Sequence, residues 1–136
     1  MADRQYRDGI PVALHFVLAN VPANATTVMT LPGGGAGFEV PTGYDFYPQI
    51  ASFISNADLT AGSWTAKVTD DGTVITNGPE PVLNDTVQLT SAEVNPLATK
   101  IAAGNYVGVK IVADASAAPT TAKADLVLIG RLIAST

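Results

Sequence analysis

Cysteine is missing from this chain, and histidine occurs once, at position 15. The first absence excludes disulfides, thiolate metal sites and cysteine nucleophiles together. The second means that a Ser-His-Asp triad or an imidazole metal site has only His15 to build on, with carboxylates supplying every other metal ligand. A cupin-like metal-dependent hydrolase would use more than one histidine. His15 lies between Leu14 and Phe16 in an apolar stretch, where a pleat-facing or interface side chain is the simpler reading. Its protonation would make assembly pH-sensitive.

Charge is scarce as well. Asp, Glu, Lys and Arg make up 14% of 136 residues, against about 25% in an ordinary soluble domain. The 12 acids outnumber the 7 bases, leaving a net charge of −5, the wrong sign for a protein whose partner is a phosphate backbone. Nucleic-acid binding is therefore not expected. Mean hydropathy is positive at +0.26, yet no apolar run is long enough to span a bilayer, so no membrane partner is expected. Surplus apolar surface in a chain of this kind points to a protein partner or to self-association.

The apolar segment at 10–21 follows Arg4 and Arg7 and precedes Ala23-Asn24-Ala25, which imitates a secretory leader. Asp3 and Asp8 neutralise its basic region, and Pro11, His15 and Asn20 interrupt its apolar run, so no signal peptide is read. Asn24 and Asn84 stand in glycosylation sequons but are expected in turns and strands.

What is present reads as β-structure. Strand signals occur at 12–19, 25–31, 44–54, 86–90, 106–113 and 124–132, bounded by Gly, Pro and Asn. In residues 63–69, Trp64, Ala66 and Val68 share one face while Thr65, Lys67 and Thr69 share the other. Asp70-Asp71-Gly72 then turns into 73–76, the clearest hairpin of the chain. In 86–90, Val87 and Leu89 are expected inward. Thr90 and Glu93 have capping-box spacing, which predicts a short helical turn before Pro96. Residues 92–104 are expected to cross one end of the molecule and enter the Tyr106 strand through Gly104 and Asn105. The fold class is all-β: a single-domain, jelly-roll-like antiparallel β-sandwich of about eight strands with little or no helix. An N-terminal arm, 1–11, precedes the sandwich domain, 12–136.

Other candidate sites weaken on inspection. Gly33, Gly34 and Gly35, with Ala36 and Gly37, suggest a phosphate loop, but no Lys-Ser/Thr and no helix follow. A tight or mobile connection that orders against a neighbouring subunit fits better. Asp70 and Asp71 would bind calcium only if Asp45 or Asp58 joined them, and Asp-Asp-Gly is in any case what a hairpin turn demands. Glu39, Glu80 and Glu93 stand in separate connections, unlike a glycosidase pair. Tyr44, Phe46 and Tyr47 would serve a sugar platform, although Tyr44 and Phe46 have core spacing, and Trp64 reads as a core anchor. No catalytic residue, metal or cofactor is assigned, and the chain is not read as an enzyme.

The strand 105–111 (NYVGVKI) entered from Ile101-Ala102-Ala103-Gly104, the loose connection after it, the strand 124–131 (ADLVLIGR) and the hairpin 64–75 together resemble small tailed-bacteriophage virion proteins. The resemblance covers residues 44–131 and departs in the long apolar portion before Tyr44. It implies a capsid cement or decoration protein: a homotrimer on the outer capsid surface, bound to the major capsid protein and stabilising the shell. Its alternative is a tail or fibre component that binds a receptor or carbohydrate through residues 44–47 or 33–37. In the cement reading Arg4, Tyr6 and Arg7 on the arm and Gly33, Gly34 and Gly35 in the loop make the interface.

Overall fold

The computed structural model describes residues 9–19, 25–56, 59–84, 89–94, 99–114, 116–117 and 123–135. They form ten antiparallel strands: β1 (Ile10–Leu18), β2 (Ala25–Val28), β3 (Phe38–Glu39), β4 (Tyr44–Ser55), β5 (Ser63–Asp70), β6 (Thr73–Val74), β7 (Val82–Asn84), β8 (Leu89–Glu93), β9 (Tyr106–Ala113) and β10 (Ala124–Ala134). The first sheet has the order β1-β10-β4-β8; in the second, β2 and β3 share one edge of β9, β5 lies on its other side, and β6 and β7 share the far edge of β5. Counting each shared edge once gives four positions in each sheet. The chain switches sheets at six of its nine connections, and with each shared edge counted once the strand order is that of a jelly roll.

The core lies between the sheets and follows from period-2 patterning. Trp64, Ala66 and Val68 of β5 are buried, as are Val107, Val109 and Ile111 of β9; they face Phe16, Phe46, Phe53, Leu126 and Leu128 of the first sheet. Full burial of large side chains such as these is worth about 1.5–3 kcal/mol each. The Trp64 indole N–H finds no acceptor among the described residues, a cost of about 1–3 kcal/mol set against the large apolar area of the ring. Asp71 and Gly72 both have positive φ, as a tight hairpin turn between β5 and β6 requires.

Two local expectations are corrected. Thr90 and Glu93 do not begin a helical turn: they lie in β8, which pairs with β4 through Phe53↔Thr90 and Ile50↔Glu93. A five-residue strand beside long β4 gains a ladder of hydrogen bonds that one capped turn before Pro96 cannot match. Leu89 points outward and is 63% exposed, because its partner Ile54 is on the outer face of β4. Val87 lies outside the described residues. The short strands β3 and β7 were not expected; each exists only as a rung on a longer neighbour.

Hydrogen bonds close the ends of the sandwich. Ile101 and Phe46 exchange backbone N–H to carbonyl bonds of 2.8 Å each, fixing the crossover before β9 to the start of β4. At the opposite end the Asp114 carboxylate accepts from the backbone N–H and hydroxyl of both Ser63 and Ser116. Gly62, at φ +71°, packs so tightly on this turn that a Cβ would stand 2.6 Å from the Ala117 nitrogen.

Candidate interaction surface

The outer face of the first sheet is open to solvent. Register places its outward side chains in rows across the strands: Val17, Asp125, Ile54 and Leu89; then His15, Val127, Ser52 and Ser91; then Ala13, Ile129, Ile50 and Glu93; then Pro11, Arg131 and Tyr47. Ile54, Leu89, Val127 and Ile129 are between 37% and 63% exposed. Strand spacing and rise give this face an area on the order of 500 Å², about half of it covered by apolar side chains. It bears two carboxylates, one guanidinium and one histidine, so little of the chain's −5 resides here.

His15 belongs to this face. Its Nε2 lies 2.8 Å from Asp125 Oδ1, both side chains about half exposed. The two are diagonal neighbours, since His15 pairs with Val127 and Asp125 with Val17. An interface or pleat-facing place for His15 is what the sequence suggested; Asp125, its partner, was not singled out and carries no local motif. Arg131 donates from Nη1 to the Gly9 carbonyl at 2.9 Å, holding the chain to β10 just before β1.

Arg4, Tyr6 and Arg7 lie outside the described residues, as does Asp58. Gly33, Gly34 and Gly35 form an exposed turn in which Gly34 N–H donates to Leu31 O at 2.8 Å and Leu31 N–H to Gly35 O at 2.7 Å. The turn leads into β3, so no helix aims N–H groups at an anion. Gly37 beyond it lies against β9, where a Cβ would sit 3.0 Å from the Val107 carbonyl; Gly108 reciprocates, with a Cβ 3.1 Å from the Ala36 carbonyl. The small residues thus let this loop lie close on the second sheet, where it walls a groove of about 700 Å³.

Asp70 accepts a 2.9 Å hydrogen bond from Asn105 Nδ2, and Asp71 accepts one of 2.7 Å from the Tyr106 N–H. Asp45 faces Lys100 at 3.4 Å. The aspartates are engaged in the turns they shape, and among the described residues no cluster of three or more His, Asp or Glu has metal-site geometry. Phe46 is fully buried and Tyr44 packs against the core, which leaves Tyr47 as the ring of residues 44–47 on the outer face of the first sheet. The Tyr106 phenol donates to Glu39 at 3.3 Å, and the charge of Glu39, that hydrogen bond, desolvation and Asp71 all raise its pKa.

No protein-family model matches the chain, and no curated protein matches it in sequence. Among solved structures, the fold is similar to that of a chain in the acidic stable capsid structure of Helicobacter pylori bacteriophage KHP30. The TM-score is 0.51 at 11% identity, over 93% of this chain and 94% of that one. The likeness is one of fold and runs nearly the full length of both.

Proposed function

We propose that this chain is a structural virion protein, a cement or decoration protein that sits as a homotrimer on the outer surface of a phage capsid and bridges subunits of the major capsid protein. The observation that carries the proposal is the exposed outer face of β1, β10, β4 and β8, about half apolar, with Ile54, Leu89, Val127 and Ile129 open to solvent, and nearly free of net charge in an otherwise acidic protein. Full-length similarity of fold to a phage capsid chain supports it. A face on the order of 500 Å² falls short of the ~800 Å² per partner of a stable binary interface. It suits a protein that binds through several symmetric contacts, where avidity multiplies each.

The work is mechanical. Each contact buries surface that must be exposed again before the shell can rupture. The arm with Arg4, Tyr6 and Arg7 and the turn at Gly33, Gly34 and Gly35 supply further contacts in this reading. Electron cryomicroscopy of purified particles tests it: density for this chain at local threefold positions of a shell is the expected result, and density confined to a tail would refute it. Deleting residues 1–9 should reduce capsid occupancy. A monomer by sedimentation across micromolar concentrations would count against the trimer.

A further inference from the structure

The outer face of the second sheet holds an electrostatic anomaly. Lys67 of β5 and Lys110 of β9 are direct cross-strand partners, both outward because Ala66, Val68, Val109 and Ile111 beside them are buried. Directly opposed like charges destabilise a sheet. This protein has twelve acids and only seven bases, yet among the described residues neither ammonium meets a carboxylate. Two of the few cations therefore share one rung of the sheet, with no carboxylate paired to either among the described residues.

Lys110 also lines the groove of about 700 Å³, together with Gly37, Thr69, Asp71, Tyr106 and Gly108. That volume is in the range of small-ligand sites. The glycines leave its floor low, and the half-exposed Tyr106 stands four residues before Lys110 on the same face of β9, at the end where the Asp71 carboxylate lies. The groove thus has a cationic end and an end with an aromatic ring and a hydrogen-bond acceptor. A polyanion would meet Asp71 with repulsion. A neutral sugar would leave both ammonium groups without a counterion.

We propose that this groove binds an acidic sugar, its carboxylate paired with Lys110, whose cross-strand partner Lys67 adds a second positive charge beside it, its ring against Tyr106 and a hydroxyl donating to Asp71. The charge-assisted hydrogen bond to Lys110 supplies the selectivity for the acid, and aromatic contact supplies the preference for a ring. The site is independent of where in a virion the protein sits, and of whether the first sheet's outer face is an interface.

Calorimetric titration of the full chain with a galacturonate trisaccharide, the matching neutral galactose trisaccharide and inorganic phosphate tests this. The expected result is saturable binding of the galacturonate form, weakened by salt, with the neutral form and phosphate each weaker by about tenfold or more. Lys67→Ala with Lys110→Ala should abolish that preference while the melting temperature stays level or rises, since a like-charge pair has been removed. Tyr106→Ala should weaken the sugar and leave phosphate unchanged. Equal affinity for the acidic and neutral sugars, equal affinity for phosphate, no binding at millimolar galacturonate, or unchanged binding by the double lysine variant would each overturn the proposal.

Discussion

His15 Nε2 and Asp125 Oδ1 meet at 2.8 Å across β1 and β10, on the outer face of the first sheet near its β1 edge. A half-exposed pair of this kind contributes less than about 1 kcal/mol to the stability of a monomer. Covered by a partner, the same pair becomes one whose disruption costs several-fold more, because the remaining carboxylate is buried alone. His15→Ala should therefore leave the denaturation midpoint of the free protein almost unchanged while lowering self-association or capsid occupancy by tenfold or more, about 1.4 kcal/mol. Equal occupancy for both proteins would remove this face from the interface.

Gly130 has no room for a side chain. A Cβ there would lie 2.5 Å from the Phe46 ring and 2.5 Å from the Tyr47 carbonyl, at the point where the pairing of β10 with β4 shifts register. Gly130→Ala must displace a fully buried phenylalanine or open the bulge, and overpacking of this kind costs about 1–3 kcal/mol. Urea unfolding at neutral pH measures it; a loss below 0.5 kcal/mol, at the edge of ordinary surface variation, would show that the bulge adjusts freely.

Asp114 sets an acid limit. Desolvation, the largest single influence, raises its pKa, but the hydrogen bonds from Ser116 and Ser63 outweigh it and hold the carboxyl below its ordinary value of 3.8. A depressed folded pKa stabilises the fold fully above the unfolded value, and that contribution is lost as pH falls through the folded one. Thermal melts below pH 4 should fall more steeply for the native protein than for Asp114→Asn. Parallel acid limbs would show that the Asp114 turn contributes no linkage.

Tyr106 sets a second, alkaline signature. With Glu39 beside it, the phenol is held above its ordinary value of 10.0, so its stabilising contribution is present below that value and lost as pH rises through the elevated one. Ultraviolet titration should resolve a tyrosine ionising above 10.0, and Glu39→Gln should lower that transition. Unaltered titration in Glu39→Gln would break the assignment.

The parts of the fold legible in sequence are those where alternation is strong and local. Trp64, Ala66 and Val68 announce an inward face that the structure shows fully packed, and 106–113 and 124–132 become the strands β9 and β10. Where a segment owes its conformation to a distant neighbour, local signals mislead. Thr90 and Glu93 carry a helix-capping pattern but are recruited by β4, and Leu89 is turned outward by the register of that pairing. The surfaces were less legible still. Nothing near Lys67 in sequence indicates that Lys110 will stand opposite it, nor does His15 indicate Asp125; only the pairing of β5 with β9 and of β1 with β10 creates those neighbours.

The place of β10 between β1 and β4 has a kinetic meaning. During synthesis, β5 can pair with β7 as soon as both have emerged, and β4 with β8 soon after. The first strand has no partner in its own sheet until β10 has been made, since its ladder from Ile10 to Leu18 is formed with Leu132 to Ala124. β1 thus waits for β10, and closing so long a loop makes folding slow, on the order of milliseconds to seconds. Until then Leu14 and Phe16 are exposed on a nascent chain, and a ribosome stalled before β10 presents the cell with an aggregation-prone edge.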